Sequence, residues 1–263
     1  MIEAIFLKYG YDFRNYSRAH VKRRILNRFQ MSEVDSISTM THRAIYDPVF
    51  ADQILMDLSI TVTEMFRDPN FYKALRQSVL PVLRTYPFVK IWHAGCASGE
   101  EVYSMAIMLK EEGLLHKTQI YATDFNPVII QHAKKAEYPI SRIKEFTVGY
   151  QKAGGKRSFS DYYTTHDEVA KLNGILRKNI VFANHNLVTD SVFAEMNLVV
   201  CRNVLIYFDR QLQDKVIGLF LESLPGGGFL CIGSKENLQF SNHFHAFEPV
   251  VDQERIYIKR YSS

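Results

Sequence analysis

The sequence predicts an α/β fold, a doubly wound and mostly parallel sheet of seven strands behind a small all-helical N-terminal region, and three observations predict it. First, Lys90 to Ala94 is a short apolar strand, Gly95-Cys96-Ala97-Ser98-Gly99 a tight small-residue turn, and Glu101 to Lys110 a helix. Second, another strand, Gln119 to Thr123, ends in Asp124. That is roughly 20 or more residues past the glycines, where a nucleoside-binding α/β unit carries the carboxylate for the ribose hydroxyls. Third, strands and helices alternate from there on, which specifies parallel strands with ligands at their carboxyl ends.

In chain order, residues 1–57 read as helical. Glu3 to Tyr9 is a short first helix, and Ser17 caps a second that runs to about Gln30, with Val21, Ile25, Leu26 and Phe29 at helical spacing as its core face. Its other face carries Arg23, Arg24 and Arg28, and no acidic residue occurs between Asp12 and Glu33. A charge run is by default a solvated face, but one without acidic partners is also a candidate docking surface for an acidic protein. Nucleic acid is not expected, since no aromatics interleave the arginines for base stacking. Further helices are expected at Ser32 to Met40 and Pro48 to Leu58. Residues 58–84 form a linker and lead-in helix, Phe71 to Leu83, in which Thr61, Thr63 and Arg67 sit where a segment can fold over a ligand. Residues 85–263 hold the sheet. After Asp124, Asn126-Pro127 opens a helix. A small β insertion near residues 150–176 contains the hairpin Tyr162 to Thr165 and Val169 to Leu172. Strands then follow at Asn179 to Ala183, Asn197 to Cys201 and Phe229 to Gly233, with Ala246 to Val250 and Arg255 to Lys259 as a final antiparallel pair. Gly95, Asp124, Asn186 and Arg202 all fall at strand ends.

Glu100 and Glu101 at the helix start narrow the ligand class. A diphosphate at that helix N-terminus would meet two carboxylates, whereas they suit a cationic, phosphate-free nucleoside such as S-adenosylmethionine. Taken alone, the glycine spacing is equally that of an ordinary strand-to-helix turn. The 263 residues are 47% apolar with a net charge of +4, as in a globular protein, and no apolar run is long enough to cross a bilayer. The start of the chain has no signal-peptide layout, and the three cysteines, Cys96, Cys201 and Cys231, fall in or beside strands. This is the pattern of reduced thiols in a cytoplasm. The nine histidines show no metal-site spacing, so no metal is expected.

The motifs together resemble the CheR family of chemotaxis protein-glutamate methyltransferases over nearly the whole chain: the basic helical N-terminal region, Thr61-Val62-Thr63-Glu64-Met65-Phe66-Arg67-Asp68, the loop from Trp92 to Ser104, Ala122-Thr123-Asp124, Cys201 to Phe208, and Pro225-Gly226-Gly227-Gly228. The resemblance implies a Rossmann-like methyltransferase fold and an S-adenosylmethionine site lined by Thr61, Thr63, Arg67, Glu101, Asp124, Asn186, Leu187, Arg202 and Asn203. It implies that Asp124 holds the ribose, that Arg67 and Tyr207 stand nearest the transferable methyl, and that Arg23, Arg24 and Arg28 grip the helical bundle of a chemoreceptor. A monomer is expected. Thr61 replaces an asparagine common in the family. The hairpin around His166 to Glu168 is shorter than in members that dock on a receptor's C-terminal peptide.

The residues agree with an acidic acceptor. A glutamate carboxylate is already ionised at neutral pH and needs no general base. Phe66, Phe125, Tyr207 and Phe208 can wall a dry pocket. An amine acceptor calls for a Pro-Pro-Tyr type of loop after the fourth strand, and this chain has Asn203-Val204-Leu205-Ile206-Tyr207. Two competing readings remain at this stage, a non-catalytic S-adenosylmethionine-binding adaptor of the same fold and a nicotinamide-dependent oxidoreductase, the latter disfavoured by Glu100 and Glu101.

Overall fold

A computed structural model describes residues 1–59 and 63–261. The N-terminal region contains α1 (Ile2–Tyr9), α2 (Arg18–Met31), α3 (Ile37–Tyr46) and α4 (Pro48–Leu58). Gly10, at φ 78°, ends α1 in a left-handed cap that an L side chain rarely adopts. The third helix lies downstream of the expected Ser32 to Met40, because the Ser36 side chain accepts from the Thr39 N–H and starts it there. Asp47 caps α4 in the same way, from the Phe50 N–H. Ile5, Phe13, Val21, Met40, Phe50 and Ile54 form this region's own core. Leu26, expected in the α2 core face, is 41% exposed.

The lead-in helix is α5 (Pro69–Ala74), a π-helical turn (Leu75–Val79) and α6 (Leu80–Leu83). Pro81 has no N–H to give the turn before it, and the wider turn absorbs that loss. There follow β1 (Val89–Ala94), α7 (Glu100–Glu111), β2 (Thr118–Asp124), α8 (Pro127–Lys135), β3 (Glu137–Pro139), α9 (Ile143–Lys152), β4 (Tyr163–His166), β5 (Val169–Leu172), α10 (Gly174–Arg177), β6 (Ile180–Asn184), β7 (Leu198–Cys201), α11 (Arg210–Ser223), β8 (Phe229–Ile232), β9 (Phe247–Val251) and β10 (Ile256–Lys259).

Seven strands form one sheet in the order β6-β2-β1-β7-β8-β10-β9. The first five are parallel, and β10 and β9 complete it antiparallel. Because side chains alternate across a strand, β1 and β7 feed both faces. Ile91, Leu198 and Val200 pack with Val102 and Met105 of α7. Trp92 and Val199 pack with Val216 and Phe220 of α11. Strand bounds lie within a residue of those read from the sequence.

The insertion is larger than the hairpin expected. It is a three-stranded sheet, β3-β5-β4, with α9 inside it. Phe146 and Tyr150 bury the inner face of α9 at helical spacing. Gly149 lets that helix meet the junction, since a Cβ there would stand 2.9 Å from the Met65 carbonyl oxygen. Among the described residues no helix is long and apolar enough to cross a membrane.

Candidate functional site

The carboxyl ends of β1, β2, β6 and β7 surround an open cleft lined by Gly95, Asp124, Asn186 and Asn203 among others. Its floor begins with the glycine loop. The Gly95 and Cys96 N–H groups both donate to the Thr123 carbonyl (2.8 and 2.9 Å), tying β1's end to β2's. Gly95 has φ 76°, and a Cβ there would lie 2.6 Å from the Val204 side chain, so only glycine allows the β1 and β7 loops to meet. Asp124 follows directly. Its Oδ2 accepts from the Ala97 N–H (3.1 Å) and its Oδ1 from the Asn126 N–H (3.0 Å). Burial pushes its carboxyl above the ordinary value against these amide bonds. Each oxygen keeps a second acceptor direction, as a ribose diol requires.

Asn186 and Leu187, after β6, and Asn203 and Tyr207, after β7, complete the expected walls. The β7 loop is held by a residue the sequence reading passed over. Glu236, 4% exposed, accepts from the N–H groups of Gly233 (2.5 Å), Asn203 (3.1 Å) and Ile206 (3.2 Å). Burial raises its carboxyl and backbone donors oppose the rise. Its only sequence signal is an acid just past the end of a predicted strand.

The helical region roofs the cleft with Tyr16, Leu58 and Ser59. Tyr16 pairs with Phe208 as an isolated antiparallel bridge, flanked by Ser17 N–H to the Tyr207 carbonyl and Asp209 N–H to the Asn15 carbonyl, both 2.8 Å. Asn126, which caps α8, also donates to Ser59 Oγ (3.0 Å). Burial, and then the Asp124 charge, raises the Tyr16 phenol.

Glu101 and Arg202 stand apart from this wall in an ionic layer beneath it. The Arg202 side chain is 2% exposed and donates to Glu101 (2.8 Å) and Asp68 (2.6 Å), with its guanidinium 4.0 Å from the centre of the Phe71 ring. His93 Nδ1 is 3.3 Å from the other Glu101 oxygen. Burial works against the Glu101 charge, but His93 and Arg202 more than offset it and hold the carboxyl low.

Thr63 and Arg67 line a neighbouring cleft of ≈ 400 Å³ with Glu64, Arg142 and Glu145. Arg142 closes it by donating to Glu100 (2.8 Å) and to the Thr63 carbonyl (2.6 Å). A hydrogen bond that the protonated Glu64 can give to Glu145, and then burial, both raise the Glu64 carboxyl. Thr61 lies outside the described residues. Phe66 is no wall of the ligand cleft: it is 1% exposed and packs against Tyr72 and Tyr150.

The α2 arginines divide. Burial raises the Tyr207 phenol, and the charges of Arg67, Arg24 and Arg23 oppose the rise. The His20 ring is edge-on to Tyr207 at 5.2 Å. Arg28 instead pairs with Asp57 of α4, and the expectation of an arginine face without acidic partners fails there because the partner is on another helix.

A mostly parallel sheet of this strand order, with a carboxylate at the end of β2 and, among the described residues, no lysine or arginine on the cleft wall to meet a phosphate, is that of a Rossmann-like methyltransferase. The profile of the CheR methyltransferase, SAM binding domain family matches residues 61–254. The chain is 51% identical over 259 residues, 98% of its length and 95% of the relative's, to the Pseudomonas putida protein named "Putative methyltransferase Cher3". It is 32% identical to a chemotaxis protein methyltransferase of Listeria monocytogenes, covering 87% and 85% of the two chains. Among solved structures it is similar to the N-methyltransferase NodS of Bradyrhizobium japonicum, with a TM-score of 0.40 and 15% identity over 74% of this chain and 86% of that one. The chain belongs to the CheR methyltransferase family, and S-adenosylmethionine is its cofactor.

Proposed function

We propose that this chain transfers the methyl group of S-adenosylmethionine to glutamate side-chain carboxylates on the helical signalling domain of a chemoreceptor, acting as a monomer in the cytoplasm. On this reading residues 1–57 dock the acceptor, residues 58–84 close over the ligand, and residues 85–263 hold it. One observation carries the reading: the charge pattern. Among the described residues the cleft wall bears no lysine or arginine, while the charges of Arg67, Arg24 and Arg23 all act on the Tyr207 phenol, a positive potential suited to a carboxylate on a protein surface. The name of the Listeria relative supports the same acceptor class.

S-adenosylmethionine supplies an electrophilic methyl on a positive sulfur. Asp124 would take the ribose, and Phe125, Tyr207 and Phe208 would keep water from the reacting atoms. Arg67 and Tyr207 would orient the acceptor carboxylate, which needs no base, so positioning is most of the catalysis.

The test is transfer of radiolabelled methyl to a receptor signalling domain, released as methanol by base. Asp124→Ala should weaken S-adenosylhomocysteine binding by about 10- to 100-fold, the worth of one hydrogen bond to a charged group. Arg67→Ala and Tyr207→Phe should slow transfer about tenfold or more with cofactor affinity little changed. Full rates in both would remove these roles, and tight cofactor binding without label transfer would return the adaptor reading.

A further inference from the structure

Arg67 sits between two strained residues. Phe66, at φ 56°, and Asp68, at φ 54°, both stand in the left-handed region, which L side chains rarely adopt and which persists only where the surroundings hold it. A guanidinium kept for an acceptor cannot be fixed by a partner of its own, so the aim of Arg67 is set by this turn. Three contacts hold the turn in place. The Phe66 N–H donates to Ser104 Oγ (2.9 Å), which donates in turn to the Glu100 carbonyl (2.7 Å). Arg202 donates to Asp68 (2.6 Å). Upstream, Arg142 donates to the Thr63 carbonyl (2.6 Å).

The Arg142 contact joins more than the other two. A second nitrogen of Arg142 donates to Glu100 (2.8 Å), whose side chain is 1% exposed and whose other oxygen accepts from Ser98 Oγ (2.6 Å) in the glycine loop. The guanidinium carbon lies 4.6 Å from the centre of the Phe146 ring of α9. One planar fork, steadied by an aromatic ring, therefore spans the turn before Arg67, the first turn of α7 and the insertion. Two donors at a fixed separation set the spacing of their partners as a single ammonium cannot. The Arg142 side chain is nevertheless 32% exposed, so its removal opens no cavity in the core.

We propose that Arg142 is a positioning residue for methyl transfer: by tying the Thr63 carbonyl to Glu100 it keeps Phe66 and Asp68 in their left-handed turn and so aims Arg67 at the acceptor carboxylate. Its action rests on the role proposed for Arg67, the orienting of that carboxylate. A displacement of about 1 Å at the reacting groups costs on the order of 100-fold in rate, so a loosened turn is felt in the chemical step.

A double-mutant cycle on transfer of radiolabelled methyl to a receptor signalling domain tests it. Arg142→Gln should lower kcat by about 10- to 100-fold, with S-adenosylhomocysteine affinity within about threefold of wild type. On an Arg67→Ala background the same substitution should change kcat by less than about twofold, since no guanidinium is left to aim. Should Arg142→Gln not fold, Arg142→Lys, which puts one nitrogen in place of two, should show the same dependence on Arg67 with a smaller loss. Equal losses on the two backgrounds, an unchanged kcat, a matching loss of S-adenosylhomocysteine affinity, or an effect confined to the KM of the acceptor, as a direct acceptor contact would give, each overturns the proposal alone. A full rate in Arg67→Ala, or no label transferred by the wild-type chain, overturns the role of Arg67 and the proposal with it.

Discussion

Glu101, in the first turn of α7, and Asp124, the last residue of β2, are partly buried carboxylates, and burial has opposite outcomes for them. Glu101 faces His93 and Arg202 and is held below its ordinary pKa, whereas Asp124 faces only backbone amides and is pushed above it. Glu236, also held only by amides, behaves like Asp124. A full opposing charge offsets desolvation, and dipoles offset it in part. The charges of Asp68, Glu101 and Arg202 are therefore matched among themselves, whereas Asp124 keeps its charge without an ionic partner.

The largest test of this contrast is removal of the shared cation. Arg202→Met strands Glu101 and unpairs Asp68, and should cost about 3–5 kcal/mol in urea unfolding. Asp124→Asn should stay within about 1 kcal/mol of wild type, because it removes a charge that burial already disfavours. Equal losses would show that the matched and the unmatched carboxylates do not differ.

A pH series sharpens the same point. Glu101, Glu111 and Glu112 all have folded pKa values below the ordinary 4.5. Their contribution is complete above that value and is lost as pH falls through the depressed folded values. Asp124 and Glu236, with raised values, act in reverse, favouring the folded chain more as they protonate on acidification. The melting temperature should fall below about pH 4.5, and Glu101→Gln should lessen that fall by a few degrees, about 1 kcal/mol. A Glu101→Gln curve parallel to wild type would remove Glu101 from the acid response.

The smallest effects separate the α2 arginines. Reversing Arg23 and Arg24 to glutamate should lower kcat/KM for an acidic protein acceptor about tenfold at low salt, fading as salt rises, with S-adenosylhomocysteine affinity unchanged. Arg28→Ala should cost about 1 kcal/mol through its partly buried pair with Asp57 and leave the rate alone. Equal rate losses in both variants would restore all three to one docking face.

Much of this molecule is legible in its sequence where the signal is local. The strands β1, β2 and β7 were readable because parallel strands buried on both faces are short apolar runs bounded by turns. Gly95 and Asp124 were readable because a tight turn and a strand-end carboxylate are fixed by neighbours in the chain. Helix α9 was not, since its polar outer face and Gly149 mask an apolar stripe whose partner is the distant Met65. Glu236 escaped for a related reason. It matters through the backbone N–H groups it meets after β7, and it belongs to no spaced motif.

The sequence by itself determined the strand–glycine loop–helix unit, the carboxylate that ends β2 and the alternation that makes the sheet parallel, all set by periodicity and turn chemistry over a few residues. Only the tertiary structure decided which charges are already matched: Arg28 to Asp57 across 29 residues, Arg202 to Glu101 across 101 and to Asp68 across 134. Pairing energy depends on distance and burial in space, and chain spacing carries neither.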